Sequence, residues 1–227
     1  MKTLILAAVA AAWACATPAF GAGAAEGVAI GAGVGTLGAG LSLSKAVEPG
    51  RLNVDLEFNA LSLSHGYSNA GVNYNGTLRL QSAGVVADYF PWRGAFHVSA
   101  GLFYDNNRLS LDARASNGTL SVNGQTYSAT ELSSLHGQVR FQALAPYLGA
   151  GWGDATTDAG WHLLANAGVL YQGSPKVDLS GSTSYPQSSS QYATLYDNID
   201  AQRQQIRDDL NRLRWYPVLS IGASYRF

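Results

Sequence analysis

The sequence predicts an all-β protein: an eight-stranded antiparallel up-and-down transmembrane β-barrel with extended extracellular loops, the last of which contains an amphipathic helix. Three observations support this prediction. The chain opens with an apolar segment of the export type, apolar and polar residues then alternate with a period of two, and short turns alternate with long connections. This combination is typical of barrels with tight turns on one side of the membrane and long loops on the other.

The first segment has the layout of a secretory signal peptide, because a positive start precedes an apolar run at 4–15 and small residues follow it. The run is too short to cross about 30 Å of hydrocarbon as a helix. We therefore expect residues 1–24 to be cleaved and residues 25–227 to form the barrel. Lipid attachment at Cys15, the one cysteine of the sequence, is the alternative.

Composition excludes several classes of function. Cleavage before residue 25 would leave no cysteine, so a disulfide framework or a thiolate metal site is not expected. The net charge is -1 and no basic run occurs, so nucleic acid is not an expected partner. The 4 histidines are scattered at no ligand spacing, and neither a metal nor another cofactor is predicted. Only 13% of the residues are charged, about half the usual share.

The clearest alternation lies at the end of the sequence. Odd positions from Trp215 to Phe227 are all apolar or aromatic, and even positions from Ser220 are small or polar. Such a segment suits a strand between lipid and a polar lumen. The same period recurs in four further segments, at 37–44, 52–59, 96–105 and 161–171.

Two segments are less regular. The apolar frame of Leu78 and Leu80 changes before Val85, and the frame of Val139 differs from that of 148–152. We interpret the second change as a β-bulge near 142–145, since one extra residue reverses the facing of a strand. These segments bring the count to seven, and an up-and-down barrel needs an even number. The glycine-rich Gly27–Gly35 is the candidate for the eighth strand.

The connections fall into two groups. Short polar or Pro/Gly turns are predicted at 48–50, 91–94 and 153–160, and longer links at 65–73, 112–137 and 181–214. The last two are expected to be the main external loops.

The last link holds a helical pattern, in which Leu195, Ile199, Ile206, Leu210 and Leu213 recur among charged residues. We expect this helix outside the cell, at the barrel mouth. The serine-rich stretch 180–190 is expected to be mobile.

Aromatic residues mark the strand ends. Four tryptophans remain after cleavage: Trp92, Trp152, Trp161 and Trp215. Their positions predict an aromatic girdle at the membrane interfaces, and four ordinary core tryptophans are the alternative. Phe227 is similar to the terminal aromatic residue that barrel-assembly machinery recognises.

Candidate permeation residues are the polar side chains predicted to point into the lumen: Asp55, Glu57, Arg79, His97, Asp105 and Arg140, together with Asp88 and His162. One interpretation is an interior network of salt bridges, because buried charges must be paired or hydrated. The other is a narrow polar path in which Asp55 and Glu57 attract cations. Eight strands leave room for little more than side chains, so any conductance should be small or gated.

An enzymatic barrel is a third hypothesis. His97 and Ser99 lie two residues apart on one face, superficially like the active strand of outer-membrane lipid A deacylases. That face is predicted to point to the lumen, whereas a lipid substrate would arrive from outside, and no third catalytic group is evident. We therefore expect no enzyme.

Several short sequence segments resemble the CarO-type ornithine porin family of Gram-negative outer membranes. They are 144–149, 171–177, 206–209 and 215–218, with Val122-Asn123-Gly124 similar to the large external hairpin of that family. The resemblance covers most of 33–227. It implies an eight-stranded barrel with a sizeable extracellular portion, associated with the uptake of basic amino acids and with carbapenem susceptibility.

The function predicted first is therefore a narrow outer-membrane diffusion channel for small polar or cationic solutes such as basic amino acids. A structural or adhesive barrel with a plugged lumen is the second hypothesis. Expected partners are outer-membrane lipid and lipopolysaccharide, the barrel-assembly machinery and small solutes. The protein is expected to be a monomer in the outer membrane of a Gram-negative bacterium.

Overall fold

The computed structural model describes residues 27–227, so the predicted signal peptide 1–24 and Cys15 lie outside the described residues. Thirteen strands and one α-helix follow in chain order. They are β1 (Val28–Gly35), β2 (Gly38–Glu48), β3 (Leu52–Asn69), β4 (Val72–Tyr89), β5 (Phe96–Asp105), β6 (Arg108–Ala115), β7 (Thr119–Val122), β8 (Gln125–Ser128), β9 (Leu132–Arg140), β10 (Leu144–Trp152), β11 (Gly160–Tyr171), β12 (Lys176–Thr183), α1 (Ser190–Leu210) and β13 (Trp215–Arg226). A 3-10 turn, Asn211–Arg214, joins α1 to β13. Within residues 27–227, no helix is both long and apolar enough to cross a bilayer.

Eight strands close into a ring in the order β1, β2, β3, β4, β5, β10, β11, β13. Every neighbouring pair is antiparallel, and β1 completes the ring by pairing with β2 on one side and β13 on the other. The predicted fold class is confirmed, with Val28–Gly35 as the eighth strand. The first and last strands are neighbours, and turns at 49–51, 90–95 and 153–159 lie at the barrel end that holds both Val28 and Arg226. This is the periplasmic end in the predicted orientation.

The segment 139–152 is not one bulged strand, so that interpretation was wrong. Val139 belongs to β9, which pairs with β6 and β12, whereas Leu148 belongs to β10, which pairs with β5 and β11. Residues 141–143 connect the two strands. The apolar pattern changes there because the chain passes from one part of the molecule to another.

The wall of strands continues beyond the barrel on the opposite side. Strands β3 and β4 are each 18 residues long, and their outer halves carry β6, β9 and β12 as further strands of the same sheet. The segment 65–73, predicted to be a link, is therefore mostly strand. Its turn consists of Ala70 and Gly71, which both have positive φ (47° and 76°), as in a tight hairpin of type I′.

The frame change predicted between Leu80 and Val85 does not occur in the backbone. Strands β3 and β4 pair residue for residue from Leu52↔Tyr89 to Asn69↔Val72 without a shift. Leu80 is buried on the inner face and Val85 is exposed on the outer face. The side of the strand that carries apolar residues changes, while the facing of each position stays regular.

The predicted external loops form a unit with its own core, which we call the extracellular unit. The link 112–137 contains the end of β6, the β7–β8 hairpin around Asn123-Gly124 and the start of β9. Helix α1 is capped by Ser189, whose hydroxyl accepts the Tyr192 N–H. The helix and the hairpin cover the inner face of the extended sheet, and the buried core is Val72, Leu120, Val122, Tyr127, Leu132, Leu195 and Ile199. The stretch 180–190 was expected to be mobile, but 180–183 pair with β9 as part of β12.

Candidate functional site: the barrel interior

Because successive side chains of β3 point to opposite faces, its polar residues point into the barrel. Asn53 and Asp55 are buried, whereas Leu56 and Phe58 are exposed on the outer face. The burial is therefore the reverse of that in a soluble sheet, as expected where lipid surrounds the wall. The interior is the place to look for chemistry.

Acidic side chains share one cavity in the periplasmic half of the lumen. The cavity has a volume of about 90 Å³, and its lining includes Asp55, Glu57, Asp88 and His97. We call these four residues and the space between them the acidic chamber. Such a volume accommodates a few water molecules. Asp55 is only 7% exposed, and its Oδ2 has no hydrogen-bond partner among the described residues.

His97 is the basic partner within the acidic chamber. Its Nε2 lies 2.9 Å from Asn166 Oδ1 and 3.6 Å from Asp88 Oδ2, and its ring packs on Phe90 with centroids 5.1 Å apart. The side chain is 2% exposed, and its Nδ1 has no partner among the described atoms. One histidine therefore faces three carboxyl groups.

The predicted interior arginines lie elsewhere, which corrects the prediction of an interior salt-bridge network. Arg79 is exposed on the outer face of β4. Arg140 ends β9 in the extracellular unit, where its Nη2 pairs with Asp178 Oδ2 at 2.7 Å. The described lining of the cavity contains neither arginine nor lysine. The facing of 79 was misassigned because the apolar side of β4 changes along the strand.

The remaining predicted polar residues are separate from the acidic chamber. Asp105 is buried at the extracellular end of β5, where its Oδ1 accepts the Asn107 N–H at 2.7 Å. His162 Nε2 lies 2.7 Å from the Asp158 carbonyl oxygen at the periplasmic end. Ser99 is buried next to His97 on the inner face of β5, as predicted.

A buried apolar layer lies in the lumen on the extracellular side of the acidic chamber. It is a buried cluster of Leu37, Val86, Phe103, Ala145, Tyr147, Leu170 and Val218, drawn from the β1–β2 turn and five strands of the ring. Phe103 and Tyr147 meet edge to face with centroids 5.7 Å apart. Glycines make room for the two rings: a Cβ on Gly84 would lie 2.5 Å from the Phe103 ring, and one on Gly168 would lie 2.6 Å from the Tyr147 ring.

At the periplasmic end, a turn folds into the barrel. Asn53 Nδ2 donates to Asp154 Oδ1 at 2.8 Å, and Thr156 Oγ1 donates to Asn53 Oδ1 at 2.8 Å. Asp154, Ala155 and Thr156 are buried. The acidic chamber thus lies between an inward-folded turn and the apolar layer.

The tryptophans and the terminal aromatic residue occupy the barrel rims. Trp92, Trp152 and Trp161 lie at the periplasmic end, and Trp215 starts β13 at the other end. All four are more than half exposed. Trp215 packs on Tyr171 with centroids 4.7 Å apart, and Phe227 packs on Tyr225 at 5.2 Å. The girdle stays a prediction, since these contacts fix positions and not the lipid around them.

Sequence reasoning missed the closing elements. Asn53 is about a hundred positions away from Asp154 and Thr156, and only barrel closure brings it to them. The packing of Phe103 against Tyr147 inside the lumen was not predicted. The usable signal was the set of glycines at inward positions of neighbouring strands, because a large inward ring needs a neighbour without a Cβ.

A closed ring of eight strands with apolar residues outside and carboxyl groups inside defines a small transmembrane barrel of the outer-membrane type. Two solved structures share this fold, the Acinetobacter baumannii proteins CarO2 and CarO. Each gives a TM-score of 0.57 at 23% identity and is covered over 98% of its length. The matches cover 88% and 89% of this chain, respectively. The resemblance noted in the sequence is thus confirmed for the fold.

A weaker likeness, with a TM-score of 0.40 and 17% identity, is to a major outer membrane protein from Thermus thermophilus, covering 88% of this chain and 97% of that one. No protein-family model matches the sequence. No curated protein matches it either.

Proposed function

We propose that the protein is a gated outer-membrane channel for small polar or cationic solutes, closed in the conformation described here. The proposal rests on one observation: the acidic chamber contains Asp55, Glu57 and Asp88 with no arginine or lysine in its described lining. Carboxyl groups in a shielded space need a counter-charge or a proton. A purely structural plug would be more stable with basic partners, whereas a cation-accepting path needs the acidic charge available.

We expect gating because two elements obstruct the lumen, the apolar layer and the inward-folded turn. Hydrophobic constrictions of narrow pores stop conduction by excluding water, and the apolar layer has this character. Basic amino acids, which the CarO-type resemblance implies, would suit the acidic chamber in charge. The apolar layer and the inward-folded turn both lie on the path through the lumen, so passage requires both to move.

Planar-bilayer recording of the refolded protein tests the proposal. Phe103→Ala removes a ring from the apolar layer and should raise the frequency of conductance steps over that of the natural protein. Tyr104→Ala is the matched control, because Tyr104 is the adjacent aromatic residue and faces outward, 58% exposed. Adding Asp55→Asn and Glu57→Gln to Phe103→Ala should reduce the preference for cations over anions.

Two outcomes of the recordings would contradict the proposal. If Phe103→Ala folds, as judged by heat-modifiable migration, and conducts no more than Tyr104→Ala, the channel proposal is wrong. If steps appear but keep their ion preference without the two carboxylates, the acidic chamber is not on the path.

A second candidate is a barrel with a permanently plugged lumen that works through its extracellular unit, as a structural or adhesive protein. The separate buried core of that unit favours it. This candidate predicts no conductance from Phe103→Ala. It also predicts that Leu195→Asp, which places a charge in that core, abolishes attachment of expressing cells to surfaces while the barrel remains heat-modifiable.

A further inference from the structure

Four basic residues form a row across the extended sheet. Arg79 of β4 is the register partner of Arg108 of β6, Arg108 of Arg140 of β9, and Arg140 of Lys176 of β12. Direct partners in antiparallel strands point to the same face, and neighbouring strands are about 4.8 Å apart. The four side chains therefore form a basic row about 14 Å long. All four residues are exposed.

The basic row lies on the outer face, just above the lipid-facing part of the wall. Arg79 shares its face of β4 with Val85, six positions closer to the periplasmic end and 50% exposed. Below the row on neighbouring strands, Tyr104 and Leu144 are also exposed on the outer face. The outer surface therefore changes from apolar to basic over a few residues of each strand.

Little within residues 27–227 neutralises this charge. Of the ion pairs among residues 27–227, only that between Arg140 and Asp178 involves the basic row, and Asp178 is itself 60% exposed. Arg108 donates to the neutral Asn106 Oδ1. The next positions outward on this face are Thr77, Ser110 and Gln138, with Asp178. Like charges directly opposite each other on a sheet destabilise it, so the row does not serve the fold.

We propose that the basic row binds the phosphate groups of lipopolysaccharide in the outer leaflet. Arginine forms paired hydrogen bonds with phosphate, and such bonds are among the strongest that a protein surface can form. The height of the row matches the level at which lipid headgroups meet the barrel, and its length accommodates phosphate groups of one or two neighbouring lipids. The inference uses the outer-membrane location and does not depend on conduction through the lumen.

Binding of purified lipopolysaccharide to the protein in phospholipid nanodiscs tests the proposal. Replacing all four residues of the basic row by glutamine should weaken binding about tenfold or more, since the variant loses the charge-assisted hydrogen bonds to phosphate. Dephosphorylated lipopolysaccharide should bind the natural protein as weakly as the fully phosphorylated form binds the variant. The variant should melt at the same temperature or higher, because like-charge repulsion is removed.

A matched pair of single variants separates position from charge. Arg108 and Arg114 are both exposed on the outer face of β6, six residues apart. Arg108→Gln should weaken binding, while Arg114→Gln, which loses the same charge about 20 Å further from the lipid, should stay within about twofold. Equal effects of the two variants, or equal competition by phosphatidylglycerol vesicles or inorganic phosphate, would overturn the proposal.

Discussion

The two halves of strand β3 face opposite environments. In the barrel half, Leu56 and Phe58 point outward and the polar positions between them point into the lumen. In the extracellular half, the apolar residues Leu61 and Leu63 occupy the inner face, and serines occupy the outer one. No residue is inserted, because pairing with β4 is continuous. The change near Ala60 and its partner Gln81 therefore marks where lipid outside the wall gives way to water.

The comparison shows that one continuous sheet is stabilised in two ways. In the barrel, the closed ladder satisfies the backbone while apolar side chains contact lipid. In the extracellular unit, burial of Val72, Leu195 and Ile199 under α1 and the β7–β8 hairpin removes apolar surface from water. Each half should respond to a different kind of substitution.

The largest effect is expected in the extracellular core. Leu195 is completely buried, so Leu195→Ala should destabilise the extracellular unit by about 2–5 kcal/mol through lost burial and a cavity. Limited proteolysis at 181–214 should accelerate, while heat-modifiable migration of the barrel should remain unchanged. Leu213→Ala is the control, since Leu213 is exposed. Loss of barrel folding in Leu195→Ala alone would show that the two halves are not independent.

A matched pair of charge substitutions tests the assigned environments directly. Leu148 at the middle of β10 and Leu111 on β6 have similar exposure, 64% and 53%. Leu148 faces lipid, so Leu148→Arg should lower the unfolding free energy in bilayers by about 2–4 kcal/mol. Leu111 faces water at the inner side of the extracellular unit, and Leu111→Arg should cost about 1 kcal/mol or less.

Denaturant titration in phospholipid vesicles measures both variants. Similar losses at the two positions would contradict the boundary near Ala60 and Gln81. A larger loss at 111 than at 148 would show that the inner side of the extracellular unit is the less polar of the two environments.

Much of the architecture could be predicted from the sequence, because an alternation with a period of two shows which side of the sheet each side chain faces. The ring of eight strands, the glycine-rich first strand and an amphipathic helix with Leu195 and Ile199 on its apolar side were all predicted, whereas Leu213 of the same predicted pattern lies beyond α1 and is exposed. The extracellular strands were missed for one reason. The prediction treated the reversal between Leu80 and Val85 as a change of frame, although a change of solvent reverses the apolar face equally well at constant register.

The site was less predictable. Asp55, Glu57 and His97 point inward as expected, since alternation fixes their facing. Arg79 was placed inside because its strand was judged by Leu78 and Leu80, which cover the inner face of the extracellular half. The closing contacts of Asn53 with Asp154 and Thr156 depend on which strands meet after barrel closure, and no local pattern encodes them.

The smallest effect concerns pH and is confined to the extracellular unit. The Ser128 backbone N–H donates to Glu131, and the hydroxyl groups of Ser128 and Tyr185 add further hydrogen bonds, so the pKa of Glu131 lies below its ordinary value of 4.5. A lowered folded-state pKa means that the stabilisation is fully present above pH 4.5 and is lost as the pH falls through the folded value. The barrel should not share this dependence on Glu131.

Hydrogen exchange of the β8–β9 connection and of the start of α1, followed from about pH 6 to about pH 3 after correction for intrinsic rates, measures the effect. Opening should become more frequent at the acidic end in the natural protein. Glu131→Gln should open more often at neutral pH and lose the acid-dependent increase, because its amide keeps an acceptor but has no charge to titrate. An acid-dependent increase that persists in Glu131→Gln would assign the effect to another group.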